Sequence, residues 1–192
     1  MWLVESARVG QLSEIGGFPV LITRLMVLTK DELIGALTHE VNVLRHLITK
    51  IDGDAVDYRP TPKQRSSIEV VRYLIVQGPA LVQAIRNGAF DRAVWGAAQA
   101  QADQADLAGL DAILATHPAW FAEQIGAMTD EELRADIQLF GGPMSRGAHL
   151  VTLVLANYAA YRTQLFCYLK LCGRDELNTA NLWQGRDPKP AA

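Results

Sequence analysis

Histidine, cysteine and aromatic side chains are all scarce in this chain. Its 192 residues include 4 His and 2 Cys, and aromatics make up 7%. The cysteines, Cys167 and Cys172, would point about 140° apart on a helix, which makes a disulfide or a metal clip between them unnatural. Reduced thiols and a cytoplasmic location are therefore expected. An excess of one charge is missing as well: 18 Lys and Arg stand against 21 Asp and Glu, scattered along the chain. No basic stretch offers itself to a nucleic-acid backbone, and there is no acidic tail. The longest apolar run, FPVLITRLMVL at 18–28, is about half the ~20 residues of a spanning helix, and Arg24 interrupts it. Neither a nucleic acid nor a membrane is expected as a partner. The start does not read as a secretory signal, because Glu5 precedes any positive charge and Gly16 and Gly17 break the apolar region.

What remains is 49% apolar with a net charge of only -3, the composition of one globular domain with a real core. Capping boxes announce helix starts at Thr29 with Glu32, Ser66 with Glu69, and Thr129 with Glu132. The spacing predicts a first helix over about 30–51, with Leu33, Leu37, Val41, Leu44, Ile48 and Ile51 as its seam. A second covers about 67–87 and stops at Asn87-Gly88, with Ile68, Val71, Ile75, Val82 and Ile85 on one face. A third carries Leu107, Leu110, Leu114, His117, Phe121 and Met128, begins within the AAQAQADQAD stretch, and is kinked or split by Pro118. The fourth and longest spans about 145–172 and ends at Gly173. Strand signals are nearly absent, and Gly141-Gly142-Pro143 reads as a plain loop. The fold class is all-α, a four-helix bundle.

Chemistry in a bundle sits where polar groups interrupt the apolar seam. On the wheel of the fourth helix, Leu150, Leu153, Tyr161, Gln164 and Tyr168 fall within about 40° of Asn157. On the second helix, Tyr73 and Gln77 are the polar members of a stripe with Val70, Ala80 and Ala84. A buried polar group without a partner costs about 1–3 kcal/mol, so these side chains must bond one another, water or a ligand. A hydrogen-bond network that fixes helix register and a pocket for a small molecule both satisfy that demand. The histidines are less promising. His39 and His46 point away from the leucine seam towards solvent, His149 lies about 80° off the polar stripe, and His117 reads as a capping or satisfied core residue. No Gly-rich phosphate loop, His-Glu-x-x-His or serine elbow is present, and an ordinary tyrosine, with a pKa near 10, is a weak acid–base candidate.

Two segments resemble a known family. YRPTPKQRSSIEVVRYL (58–74) is similar to the loop and second helix of the DinB-like four-helix bundle proteins, and NYAAYRTQLFCYLKLCG (157–173) to their last helix. There two histidines four apart precede an Arg-x-Gln-Leu run, here Arg162, Thr163, Gln164 and Leu165. The resemblance covers about 28–173 and implies an up-down-down-up bundle, often homodimeric. Typical members bind a divalent metal through three histidines, and some are thiol-dependent transferases or hydrolases. The ligand positions fall on Tyr73, Asn157 and Tyr161, so all three histidines are replaced. Neutral phenols and amides are poor ligands for Zn or Ni.

The reading that follows is an N-terminal extension (1–27), a bundle (28–173) and a C-terminal tail (174–192). The bundle is expected to carry no metal or other cofactor and to bind a small molecule, or a partner, with Tyr73, Gln77, Asn157, Tyr161 and Gln164 lining its pocket. The alternative is a metal-dependent transferase or hydrolase with other ligands, such as His117 or His46. A homodimer is also expected. Val151, Leu155, Tyr158, Phe166 and Leu169 form a second apolar stripe on the fourth helix, which another subunit, the N-terminal arm or the Trp183 tail must cover.

Overall fold

The capping signals set where the helices begin. The structure, a computed structural model, describes residues 28–140 and 142–189; the N-terminal extension and Gly141 lie outside the described residues. Helix α1 (Lys30–Ile48) starts where Thr29 Oγ1 accepts from Glu32 N at 3.2 Å and Glu32 Oε2 accepts from Thr29 N at 2.8 Å. The short α6 (Asp130–Arg134) repeats this reciprocal cap at Thr129 and Glu132. At α2 (Ser67–Asn87) the Glu69 carboxylate accepts from Ser66 N, while the buried Ser66 Oγ has no bonded partner. Gly88 ends α2 in the left-handed conformation, φ 69°, which only glycine adopts without cost.

The expected third helix is really three. Helix α3 (Arg92–Gln104) is separate, Asp106 caps α4 (Leu107–Leu114), and α5 (His117–Gly126) carries Pro118 in its first turn. There the missing N–H is of no consequence, so proline splits the helix rather than bending it. The stretch 97–106 thus ends α3 and does not begin the following helix. A second correction concerns 136–145, where an antiparallel hairpin forms from β1 (Asp136–Leu139) and β2 (Gly142–Ser145). Ile137 and Leu139 alternate into the core. Strands of four residues are too short to announce themselves by period, and Gly142-Pro143 belongs to one of them.

The fourth helical stretch runs as α7 (Arg146–His149), a wide π-helical segment (Leu150–Leu155) and α8 (Ala156–Leu171). The wide turns change which residues face inwards. Leu150, Val154, Tyr158, Arg162, Leu165 and Leu169 are fully or almost fully buried. Three successive steps of four would drift about 120° on a regular α-helix; i→i+5 turns absorb that drift. Tyr158 and Leu169, assigned to an outward stripe by the regular wheel, therefore belong to the core. Helices α1 and α2 flank α8, and the C-terminal α9 (Thr179–Gln184) packs on both α1 and α8. The end of the fourth helix at 173 is therefore not the edge of the packed body: Leu177 and Asn181 are buried.

By length and composition α2 could span a membrane, but 67% of its most apolar window is buried among the other helices. Its core seam holds as expected, with Val71, Ile75, Val82 and Ile85 buried and Ile68 half-buried. The α1 seam is buried from Leu33 through Ile51. Polar ties fix the packing: Arg45 grips Asp111 with two hydrogen bonds, at 2.7 and 3.0 Å, and Arg72 donates to the carbonyls of Ala102 and Ala105.

At the centre, Tyr158 donates its hydroxyl to the Leu74 carbonyl at 3.1 Å and lies 3.1 Å from His117 Nδ1. A hydroxyl that donates to Leu74 can accept from histidine, which places the imidazole proton on Nδ1. Burial pushes the His117 pKa down to about 4 and the Tyr158 pKa up. Because the folded-state value lies below the ordinary 6.5, the unfolded chain binds this proton more readily. The contribution is complete above about pH 6.5 and is lost as pH falls towards 4, a total on the order of 3 kcal/mol. Urea unfolding at stepped pH is expected to show a shallower decline for His117→Asn than for the wild type across this window. Equal slopes would mean that His117 does not carry the loss.

Candidate functional site

Helix α2 presents Tyr73 and Gln77 one turn apart, and α8 presents Tyr161 opposite them. The Tyr73 and Tyr161 rings lie 4.8 Å apart, tilted by 52°. Arg65, in the loop before α2, holds its guanidinium 4.0 Å over the Tyr73 ring and donates to the Tyr161 hydroxyl at 3.5 Å. Burial raises the Tyr73 pKa, the Tyr161 phenol adds to the rise, and Arg65 opposes it. A phenol that resists ionisation offers less phenolate near neutral pH, whether to take a proton or to hold a metal ion.

Gln77 is completely buried and donates Nε2 to the Leu153 carbonyl at 2.6 Å. Asn157 donates Nδ2 to the same carbonyl at 2.7 Å. Leu153 lies in the π-helical segment, so two side-chain amides converge where the regular ladder is interrupted. The Gln77 Oε1 is buried and has no hydrogen-bond partner. Gln164 donates to the Tyr168 hydroxyl.

The five residues singled out in the sequence are therefore neighbours, but they do not line one cavity. Tyr73 and Gln77 face a cavity of about 510 Å³, completed by Leu81, Phe90, Arg92, Trp95 and Phe140. Tyr161 and Gln164 face another, of about 520 Å³, with Lys63, Gln64 and Arg65. Asn157 is half-buried and tied back to its own helix. The first cavity is walled by a run of rings. Tyr73 lies 5.9 Å from Trp95, Trp95 5.8 Å from Phe90, and Phe90 5.3 Å from Phe140. Helical wheels could not find this wall, because Phe90 precedes α3, Trp95 lies on it, and Phe140 follows β1 in the hairpin turn.

Tyr73, Asn157 and Tyr161 do not suit a divalent cation. Two are phenols, the amide nitrogen of the third is spent on a backbone carbonyl, and a guanidinium already lies over the tyrosines. The alternative ligands are engaged elsewhere. His117 lies in the core with Tyr158, and Asn181 Nδ2 donates to His46 Nε2 at 3.0 Å. His46 is thus covered by the C-terminal segment and is not on a solvated face; burial lowers its pKa, with Lys50 adding to the fall and Asp187 opposing it. His149 is buried with its Nε2 3.4 Å from the Ile137 carbonyl. Among the described residues, no group of three or more His, Cys, Asp or Glu side chains is placed to hold a metal ion.

No family profile matches the sequence, and no curated protein matches it. Solved structures do. A DinB-like protein of Bacillus subtilis, YjoA, superposes with a TM-score of 0.58 at 22% identity, over 76% of this chain and 94% of that one. A DinB-like protein of Bacillus cereus superposes with a TM-score of 0.60 at 15% identity, over 77% and 95%. The fold of this chain is that of the DinB-like proteins.

Proposed function

We propose that this chain is a metal-free DinB-like bundle, of up-down-down-up course, that binds a small molecule and performs no metal-dependent chemistry. The observation that carries the reading is the cavity of about 510 Å³ walled by the rings of Tyr73, Trp95, Phe90 and Phe140. A mostly apolar cleft with few polar groups, within about 300–1,000 Å³, is the usual form of a small-molecule site. Tyr73 and Gln77 form its inner wall. Tyr161 packs on Tyr73 and Asn157 bonds the Leu153 carbonyl, while Gln164 is tied to the Tyr168 hydroxyl.

The test uses a neutral apolar probe, 3-methylindole, titrated calorimetrically. Binding to the wild type, weakened about tenfold by Phe140→Ala, is expected from the loss of one aromatic wall. Phe140 is 64% exposed, so its removal leaves the core intact. Binding unaffected by Phe140→Ala would overturn the reading. So would about one equivalent of Zn, Ni or Fe in purified protein, lost on changing Asn157 or Tyr161.

A homodimer in the cytoplasm belongs to the same proposal, on narrower ground than the sequence suggested. With Tyr158 and Leu169 in the core, the outer stripe retains the exposed Val151 and the half-buried Leu155 and Phe166. Sedimentation at micromolar concentration is expected to give twice the chain mass; a monomer would remove the dimer from the proposal.

A further inference from the structure

We infer that the cleft beside Tyr161 is an oxyanion site that takes a phosphate group. It is separate from the aromatic cavity and does not depend on the function proposed for that cavity. The cleft, of about 520 Å³, is lined by Lys63, Gln64, Arg65, Tyr161 and Gln164. Two of these side chains are cations and none is a carboxylate, in a chain whose net charge is -3. Attraction for an anion is therefore local to this cleft and not a property of the whole surface.

Neither cation is neutralised by the protein. Arg59, on the same loop, pairs with Glu69 at 3.3 Å. Lys63 makes no ion pair or hydrogen bond among the described residues, and Arg65 makes no ion pair. Glu69 is committed elsewhere. It accepts from Ser66 N at 2.8 Å, and that bond holds its carboxyl below the usual carboxylate range against the opposing effect of burial. The cations that add to the fall are Arg59 and Arg72, not Arg65.

Arg65 is held ready for a ligand. Its guanidinium lies 4.0 Å over the Tyr73 ring and 5.8 Å from the centre of the Tyr161 ring, and Nη1 donates to the Tyr161 hydroxyl at 3.5 Å. Stacking occupies the face of a guanidinium and leaves its in-plane N–H groups free. Of the five, one is spent here, and the rest keep the fork geometry that grips two oxygens. Orientation fixed before binding lowers the ordering cost of binding. Lys63 adds three donors and a second charge. The Gln64 Oε1 already accepts from Thr61 Oγ1 at 3.0 Å, so its Nε2 is the end left to meet a ligand, and it donates.

These donors suit a phosphate better than a carboxylate. A carboxylate brings one charge and two oxygens, which the Arg65 fork alone would satisfy. A phosphate group brings a charge of about -1.5 to -2 and three acceptor oxygens, enough to engage Lys63 and Gln64 as well. The volume of the cleft exceeds that of one phosphate group, so the body of a small phosphate ester fits beside it.

The test is an NMR titration of the full chain at fixed ionic strength, following the Gln64 side-chain amide and the Arg65 Nε–H. The probes are inorganic phosphate, glycerol phosphate and acetate. Both phosphates are expected to give saturable shifts, with acetate at least about tenfold weaker. Arg65→Lys keeps the charge but loses the fork, and should weaken phosphate about tenfold when read at Gln64. Lys63→Gln should weaken it several-fold, whereas Lys189→Gln, which removes the same charge outside the cleft, should not. Glycerol phosphate binding more tightly than inorganic phosphate would assign the site to an ester; equal binding would assign it to free phosphate. Absence of saturation, acetate binding as tightly as phosphate, or equal losses from Lys63→Gln and Lys189→Gln would each overturn the inference.

Discussion

Replacing Gly78 by alanine is expected to destabilise the protein by about 3 kcal/mol, at the upper end of what one added methyl costs in a packed core. A Cβ built at this position would lie 2.4 Å from the Tyr158 hydroxyl and 2.8 Å from its ring carbon Cε2. The tyrosine cannot step aside. It is fully buried, held by Leu74 on one side and His117 on the other, and packed edge-on to Phe121. Nor can α2 withdraw, because Gln77, the preceding residue, is bonded to the Leu153 carbonyl. Tyr158→Phe alone leaves the His117 N–H and the Leu74 carbonyl short of a partner, at a cost of about 1–3 kcal/mol. In the Tyr158→Phe background the nearest contact is gone, so adding Gly78→Ala should cost at least ~1 kcal/mol less than in the wild type. Urea unfolding of the four proteins of this cycle measures that coupling. Strict additivity would mean that the clash is relieved elsewhere.

The second large effect is expected at Arg162, which is 1% exposed. Its Nε donates to Glu40 Oε2 at 2.6 Å and its Nη2 to Glu40 Oε1 at 3.3 Å, Nη1 donates to the Leu182 carbonyl, and the Trp183 ring lies 4.9 Å from the guanidinium. Arg162→Met leaves the Glu40 carboxylate buried without its partner, which should cost about 3–5 kcal/mol. Changing both, Glu40→Leu with Arg162→Met, should recover most of that loss, because the penalty comes from the stranded charge and not from the absence of the pair. The same single change should also loosen α9, since two of its residues meet this guanidinium. Faster limited proteolysis after Leu177 is the expected signature. Unchanged cleavage would show α9 to be held by Asn181 and its neighbours alone.

Arg162 also shows what the sequence could and could not convey. Its place in the Arg-x-Gln-Leu run supported the resemblance, but the regular wheel gave no sign of its burial and put Tyr158 and Leu169, which share its inward face, on an outer stripe of the fourth helix. The wheel failed because three steps of four residues suit a π turn, and nothing in Leu150–Leu155 marks that turn locally. By contrast, the α1 seam was legible in full, since its steps of four and three need no irregularity. The helix starts at Thr29 and Thr129 were legible because a capping box is a local contract between two side chains three positions apart. The hairpin was not, being shorter than the window over which a period of two can be recognised. Of the site, Tyr73 and Gln77 could be read as polar members of an apolar stripe. Phe90, Trp95, Phe140 and Arg92 could not, because a loop, a helix and a hairpin contribute them and only the tertiary fold makes them neighbours.

The packing of α9 onto α1 has a consequence for how the chain is made. Synthesis delivers α1 early, and Asn181, which bonds to His46 across 135 positions, emerges only much later. Asp187, whose carboxylate pairs with Lys50 at 2.7 Å, follows later still. Throughout the interval the face of α1 that α9 will cover stays open, and a nascent chain with apolar surface uncovered is a client for holding chaperones. The closing contacts are among the longest-range in the protein, so the last stage of folding is expected to be its slowest. Slowing the ribosome over 157–171 would not help it finish; the bundle closes only once the residues around Asn181 are free to fold back.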